Sequence, residues 1–156
     1  MASCAFFGHR NMRVEQFREK LLSIIIDLIE NKGVTQFYSG HRGDFDIYCS
    51  SLINGLKVRY PHIINTMVLS YIPKCSPHSE GDAFSLPKYY DDSVYLLERS
   101  TPKRLAIIET NKLLVDKVDY IVAGVTTHFG GAFIACEYAL KRKKQVISVI
   151  DGWKAV

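Results

Sequence analysis

The stretch Ser3-Cys4-Ala5-Phe6-Phe7-Gly8-His9-Arg10 decides the fold, because a short apolar run that stops at a glycine is typical of a buried strand. Helical periodicity follows from Val14 to Asn31, and Gly33 stands where such a helix would end. A second strand is predicted over Val34–Ser39. A strand, a helix and a strand in this order predict a right-handed crossover and a parallel sheet.

The same alternation continues through the rest of the chain. Helices are predicted over residues 46–60, 102–116 and 131–143, and strands over residues 66–72, 94–97, 120–125 and 145–150. Ile47 is placed on the core face of the first of these helices, and Leu105, Ile108 and Leu113 on that of the second. The predicted fold class is α/β, a Rossmann-like three-layer sandwich with a mainly parallel sheet flanked by helices, in one domain over residues 1–156.

Bulk composition narrows the classes of protein to consider. Of the 156 residues, 47% are hydrophobic and 23% are charged, which is ordinary for a globular chain and argues against disorder. The net charge of +4 is compatible with a small anionic ligand and does not require a nucleic acid or a membrane. The basic run over residues 141–144 is either a solvated last helical turn or a nucleic-acid contact.

Cysteine usage and the N-terminus predict an intracellular chain. Cys4, Cys49, Cys75 and Cys136 show no CxxC spacing, so we predict free thiols and no metal site. No signal-peptide pattern precedes the first strand, and the apolar run over residues 24–26 is far too short to span a bilayer. We therefore expect a cytoplasmic protein that requires no cofactor and does not bind a membrane.

Four polar loops follow predicted strands, at residues 8–10, 40–46, 71–73 and 126–131. Loops at the carboxyl ends of parallel strands emerge at one edge of the sheet, where open α/β folds bind their ligands. Residues distant in sequence are therefore expected to meet in one crevice. The longer polar stretch over residues 74–92 is expected to be a loop or a lid.

The last of these loops favours a phosphate site. Gly130 and Gly131 open the predicted 131–143 helix, where backbone N–H groups and the helix dipole can receive a phosphate. A tight turn between strand and helix would use the same glycines. Thr126 and Thr127 either donate hydroxyl hydrogen bonds to a ligand or cap the helix.

The charged side chains of the loops each have two interpretations. Arg10 either binds a phosphate or carboxylate, or is a surface arginine or an ion-pair partner of Asp44 or Asp46. His9 either orients a ribose or packs structurally. Asp46 either interacts with the N-terminus of its helix or binds ribose hydroxyls. Glu137, about two turns into its helix, either acts on a ribosyl carbon or is a solvated helix residue.

Several motifs resemble one known family, and they follow in order along nearly the whole chain. They are residues 4–10 (CAFFGHR), 37–40 (FYSG), 43–46 (GDFD), 60–63 (YPHI), 68–73 (VLSYIP), 102–107 (PKRLAI), 111 (N), 119–120 (DY), 125–126 (VT), 130–132 (GGA) and 137–139 (EYA). In these motifs the chain resembles the SLOG superfamily, and within it the YpsA-like branch. SLOG unites the DNA-processing protein DprA with the "lonely guy" phosphoribohydrolases.

The resemblance implies a Rossmann-like cytoplasmic protein, often a homo-oligomer, that binds a nucleotide or a derivative such as ADP-ribose. Together with the loop analysis it gives a set of predicted ligand-binding residues and one predicted catalytic residue, Glu137. The ligand-binding set is Gly8, His9, Arg10, Gly40, Gly43, Asp46, Asn111, Thr126, Gly130 and Gly131.

Two motifs depart from the family pattern. Small relatives carry an Arg-Asn pair where this chain has Thr110-Asn111. The phosphoribohydrolase motif Pro-Gly-Gly-x-Gly-Thr, with a glutamate six residues after its second glycine, matches Gly130-Gly131 and Glu137. However, Phe129 replaces the proline, and Phe133-Ile134 stands in place of Gly-Thr. These departures disfavour phosphoribohydrolase activity.

Three functions follow from these observations. The preferred one is a binding or sensor module for a nucleotide-derived ligand, which needs only the glycine loops and Arg10. The second is an N-glycosidase or ribosyl-transferring enzyme, with Glu137 acting at the ribose carbon and Asp46 or His9 assisting. The third is DprA-like binding of single-stranded DNA, which the mild net charge disfavours.

Overall fold

Six strands and four α-helices make up the part of the chain that the structure describes, and they alternate except that β4 follows β3 with no described helix between them. The structure is a computed structural model, and it describes residues 1–71, 86–98 and 100–153. The strands are β1 (Ala2–Gly8), β2 (Val34–Ser39), β3 (Ile64–Leu69), β4 (Asp92–Tyr95), β5 (Tyr120–Gly124) and β6 (Gln145–Ser148). The helices are α1 (Arg18–Lys32), α2 (Asp44–Leu56), α3 (Ala106–Lys117) and α4 (Gly131–Lys141). Short 3-10 turns at Val14–Phe17 and Lys103–Leu105 lead into α1 and α3.

The strand order places a crevice beside β1. All pairings are parallel, and the order across the sheet is β4-β3-β2-β1-β5-β6. The chain moves outward from β1 to β4 and then returns to place β5 on the other side of β1. The loops after β1 and β5 therefore lead in opposite directions, and such a switch point is where open α/β sheets bind ligands.

Alternate residues of β1 face two different helix layers. Cys4 and Phe6 belong to a core shared with α1 and α2, whereas Ala5 and Phe7 belong to a core shared with α3 and α4. This is the alternation expected of a strand that is buried on both faces. The predicted Rossmann-like α/β sandwich is therefore confirmed.

Helix α2 differs from the predicted 46–60 helix at both ends. It begins at Asp44, because the N–H groups of Asp44 and Phe45 bond to carbonyl oxygens of the loop after β1. It ends at Leu56 rather than near Pro61, because the chain tightens into a turn in which the Tyr60 N–H bonds to the Leu56 carbonyl at 2.8 Å. This turn brings the Tyr60 ring into the core.

Three core-face predictions are wrong. Ile47 is 38% exposed, because the buried stripe of α2 starts at Phe45 and continues through Cys49 and Leu52. Leu105 and Leu113 are exposed, and Leu105 precedes α3 rather than belonging to it. The buried residues of α3 are Ala106, Thr110, Asn111, Leu114 and Val115.

The remaining boundaries shift by a few residues. The strands predicted over 66–72 and 94–97 are β3 and β4, and each begins two residues earlier, because Ile64 pairs with Gln36 of β2 and Asp92 pairs with Thr66 of β3. Most of the predicted 74–92 loop lies outside the described residues, and Asp92 already belongs to β4. Among the described helices, none combines the length and apolar character that crossing a membrane needs.

The Phe45 ring packs against the carboxyl ends of β1 and β5. Gly8 and Gly124 face each other across these strands, and a Cβ atom on either would overlap carbon atoms of the Phe45 ring. The ring itself is fully buried. The two glycines are therefore required for space, and they allow the first turn of α2 to lie directly on the switch point.

We expect Gly124→Ala to lower the free energy of unfolding by about 1–3 kcal/mol, because the new methyl group collides with a buried ring that has no room to move. Adding Phe45→Leu should recover part of that loss, since the two side chains compete for one space. Urea unfolding of the single and double variants measures both effects.

Gly55→Ala is the matched control, because a Cβ atom at Gly55 meets open space on α2. That variant should be more stable than the wild type by about 0.5–1 kcal/mol, as expected for alanine in a helix interior. If Gly124→Ala is as stable as the wild type, the steric role of Phe45 is wrong.

Candidate functional site

The crevice at the switch point holds a pocket of about 340 Å³. Its walls come from the loops after β1, β2 and β5 and from α3, so loops distant in sequence do converge at this edge. Eight of the predicted ligand-binding residues line it: Gly8, His9, Arg10, Gly43, Asp46, Asn111, Gly130 and Gly131. Four lining residues were not predicted: Phe7, Arg42, Ile107 and Ala132.

Gly40, Thr126 and Glu137 do not line the pocket. Gly40 lies behind it, where a Cβ atom would come within 2.8 Å of the Arg42 guanidinium. Thr126 supports the wall through its backbone, and no side-chain cap from it reaches α4. Glu137 lies beside Lys141, at 3.6 Å, one turn further along α4. A catalytic role for Glu137 stays a prediction that this geometry does not support.

His9 connects the two loops that form the crevice. The Thr126 N–H donates to His9 Nε2 at 2.8 Å, and the His9 N–H donates to the Gly124 carbonyl at 3.3 Å. Burial lowers the pKa of His9, which favours the neutral ring. Because Nε2 accepts a hydrogen bond, the proton of the neutral ring is on Nδ1. His9 therefore has a structural role in fixing the distance between β1 and β5.

The loop after β1 also satisfies the N-terminus of α2. The Asp44 N–H donates to the Arg10 carbonyl at 2.8 Å, and the Asp44 carboxylate accepts the Met12 N–H at 3.0 Å. A Cβ atom at Gly43 would overlap the Arg10 backbone, so glycine is needed for this close approach. The first N–H groups of α2 are thus hydrogen-bonded within the protein and do not face a ligand.

The N-terminus of α4 is arranged differently. Gly130 has a φ of +96°, a conformation that favours glycine, and a Cβ atom at Gly131 would meet open space. The first turn contains no acidic residue, and no described residue accepts the N–H groups of Gly131 or Ala132. Both residues line the pocket. This helix end therefore offers N–H donors and the positive end of a dipole to an anion.

Arg10 is exposed at the rim, and it forms no ion pair with Asp44 or Asp46. Of the two alternatives to ligand binding for Arg10, the ion pair is therefore excluded, whereas a surface arginine agrees with its exposure. Its guanidinium group can serve a phosphate or a carboxylate from solvent.

Arg42 is the side chain that the sequence reasoning missed. Its guanidinium donates to the Ser70 hydroxyl and, at 3.0 Å, to the Asn111 side-chain oxygen. A guanidinium group therefore does lie beside Asn111, and it comes from the loop after β2. Thr110, where small relatives carry arginine, is fully buried. The signal for Arg42 was its place in a loop after a parallel strand, the same signal that identified Arg10.

Asp46 adds a carboxylate to this otherwise positive pocket. Backbone N–H groups of Arg42, at 3.4 Å, and of Gly40 hydrogen-bond to it. Burial raises the pKa of Asp46 to about 6, against the lowering effects of these hydrogen bonds and of the Arg42 charge. The protein thus holds a carboxyl group that changes its charge just below neutral pH.

The raised pKa of Asp46 gives a pH-dependent stability. The folded chain holds the proton more tightly than the unfolded chain, so the Asp46 contribution is most favourable below about pH 4 and is lost as the pH rises through 6. We expect Asp46→Asn to gain stability relative to the wild type by about 2 kcal/mol between pH 4 and pH 7. Urea unfolding across this pH range measures the difference.

Glu19→Gln is the control for this series, because it removes an exposed carboxylate from the first turn of α1, which does not line the pocket. We expect no gain in its stability relative to the wild type comparable to that of Asp46→Asn. A pH-independent difference for Asp46→Asn would contradict the raised pKa.

Comparison with known proteins finds similarity in structure only. No protein-family profile matches the sequence, and no curated protein sequence matches it. DprA from Streptococcus pneumoniae superposes with a TM-score of 0.64 at 13% identity, over 94% of this chain and 50% of DprA. This chain therefore spans about half the length of that protein.

Two further structures are similar over 94% of this chain. DprA from Helicobacter pylori, described for its unique mode of binding single-stranded DNA, has a TM-score of 0.60 at 14% identity, with 64% of its chain covered. The Moco carrier protein from Chlamydomonas reinhardtii has a TM-score of 0.51 at 14% identity, with 75% covered. At such identities the likeness is one of fold alone, and it agrees with the Rossmann-like α/β architecture described above.

Proposed function

We propose that the protein binds a nucleotide or a nucleotide-derived ligand, of the ADP-ribose type, in the crevice and acts as a sensor or binding protein. The observation that carries this proposal is the convergence of Arg10, Arg42 and the open first turn of α4 on one pocket. Guanidinium groups and unpaired helix N–H groups together form an arrangement that suits a phosphate.

The same pocket contains an acceptor that suits a ribose. Asp46 forms no ion pair with a described Lys or Arg, and among the described residues its carboxylate accepts hydrogen bonds from backbone N–H groups. A carboxylate can accept about four hydrogen bonds, so capacity remains for hydroxyl donors of a ligand. Ribose hydroxyls bound by an acidic residue are a general feature of nucleotide sites in Rossmann folds.

The size of the pocket favours a small ligand. Its volume of about 340 Å³ is near the lower end of the usual range for ligand pockets, about 300–1,000 Å³. One nucleoside phosphate unit is therefore the part of a ligand that we place inside it. Homo-oligomerisation and a cytoplasmic location, both implied by the family resemblance, stay predictions.

Single-strand DNA binding is the second candidate. Phe129, directly before Gly130, is 74% exposed, and Tyr71 after β3 is 54% exposed. Exposed aromatic rings near arginines are the groups on which single-stranded bases stack. The H. pylori DprA neighbour is described as a single-strand DNA binder, which supports this alternative at the level of fold.

We expect AMP or ADP-ribose to raise the thermal midpoint by a few degrees, since a ligand at about a hundred times its dissociation constant stabilises a fold by about 2.7 kcal/mol. Arg10→Ala should reduce the shift through loss of a phosphate contact. Gly131→Asp should abolish it, because a carboxylate then occupies the open space at the start of α4. Differential scanning fluorimetry and calorimetry provide the measurements.

Arg18→Ala is the matched control, because it removes an exposed arginine at the start of α1, outside the pocket. This variant should bind as the wild type does. If no nucleotide in the panel shifts the wild-type midpoint, the proposal is wrong. Chromatography of the same mixtures tests for release of a free base, and only a release that is lost in Glu137→Gln would support the glycosidase alternative.

The ribose contact separates the two candidates. If Asp46 accepts ribose hydroxyls, the wild type should bind AMP more tightly than dAMP by about tenfold, which is the effect of losing one hydrogen bond to a charged group. Asp46→Asn should reduce that ratio. Equal binding of AMP and dAMP, together with a steep fall in oligo-dT affinity as salt is raised, would favour the DNA-binding candidate.

A further inference from the structure

We propose that Tyr90 is a positioning residue that fixes the β2–α2 loop, residues 40–43, and through it the placement of Arg42 and Asp46 in the pocket. Tyr90 precedes β4 and does not line the pocket itself. Only the AMP-affinity part of the test rests on the proposed function, because amide exchange in the loop can be measured without a ligand.

The contacts of Tyr90 are directed at the start of that loop. Its side chain is 7% exposed, and its hydroxyl lies 3.1 Å from Ser39 Oγ, 2.9 Å from Ser50 Oγ and 3.0 Å from His41 Nδ1. The rings of Tyr90 and His41 also meet edge to face, with centroids 5.2 Å apart. One side chain from before β4 thus holds the end of β2, the loop after it and α2.

The number of available hydrogen atoms indicates which group is the donor in these hydrogen bonds. Ser39 and Ser50 are also 2.9 Å apart, so three hydroxyl groups and one imidazole make four contacts. Three hydroxyls supply three hydrogens, and the fourth must come from His41 Nδ1 if every contact is a hydrogen bond. Tyr90 then accepts from His41 and from one serine and donates to the other. Burial lowers the pKa of His41, which is consistent with a neutral ring that carries its proton on Nδ1.

The backbone at His41 explains why the loop needs this support. His41 has a φ of +53°, in the left-handed region that residues other than glycine rarely adopt. The neighbouring backbone N–H groups, those of Gly40 and Arg42, hydrogen-bond to the Asp46 carboxylate. If His41 left this conformation, those two N–H groups would turn away from Asp46. The Arg42 backbone would move with them, and its guanidinium group would lose its contacts with Ser70 and Asn111.

Tyr90→Phe tests the proposal, because it keeps the buried ring and removes only the hydroxyl. We expect the amides of Gly40 and Arg42 to exchange with deuterium about tenfold faster in the variant, because His41 is the loop residue that loses its hydrogen bond to the Tyr90 hydroxyl. AMP affinity should fall by a similar factor, whereas amides of β1 and β5 should exchange as in the wild type.

Tyr60→Phe is the matched control. Tyr60 is likewise a buried ring with a hydrogen-bonded hydroxyl, in its case bonded to Glu30, and it does not contact the loop. Its variant should leave exchange at residues 40–43 and AMP affinity unchanged, even if global stability falls.

A rescue variant separates positioning from a general loss of packing. In Tyr90→Phe, His41 has lost the hydroxyl partner that holds it in the left-handed region, and asparagine adopts this region more readily than such a histidine does. Tyr90→Phe/His41→Asn should therefore recover slow exchange at residues 40–43 and part of the AMP affinity. A merely structural defect would not be repaired by this second change.

The possible results distinguish failure of the positioning role of Tyr90 from failure of the proposed function. Unchanged exchange at residues 40–43 in Tyr90→Phe, or faster exchange that His41→Asn does not correct, overturns the positioning role. Faster exchange that His41→Asn corrects supports the role even if the wild type binds neither AMP nor ADP-ribose, and in that case it is the proposed function that fails.

Discussion

The packing of the Phe45 ring on Gly8 and Gly124 is the contact on which the rest of the site depends. Two strands end in glycine at paired positions, and the missing side chains leave a space that the first turn of α2 fills. This brings Gly43 against the Arg10 backbone and allows the Asp44 N–H to bond to the loop after β1. The pocket is therefore formed by a helix that is seated on the switch point, rather than by loops that fold over it.

The charged groups of the pocket differ in whether other protein groups fix their positions. Arg42 is held by Ser70 and Asn111, so it provides a fixed positive field. Arg10 forms no ion pair with the nearby carboxylates, so its guanidinium group can follow a ligand. Asp46 lies near the Arg42 charge without an ion pair, and burial of its carboxyl group, which is costly for the fold, raises its pKa. Such an unfavourable arrangement is more often kept for binding than for stability.

Element order was predictable because its signals are local. The apolar run that stops at Gly8 and the periodicity of residues 14–31 can each be read from a short window, and both agree with the structure to within a few residues. The core face of α3 was not predictable in this way. Thr110 and Asn111 are polar, yet both are buried there, and Asn111 contacts a guanidinium group that comes from residue 42. Sequence periodicity counts apolar residues and cannot detect a polar residue whose partner lies elsewhere in the chain.

The strands, the helices, the parallel sheet and the edge where the polar loops lie were predictable from local sequence, since each depends on neighbouring residues and on general rules of chain connection. The role of each glycine, in contrast, depends on tertiary packing. Gly8 and Gly124 make room for Phe45, Gly43 makes room for the Arg10 backbone, and Gly131 leaves space open to the pocket. All are the same residue type in similar loops. They differ in which distant atoms lie where a Cβ atom would be, and that is settled only when α2 packs on the sheet.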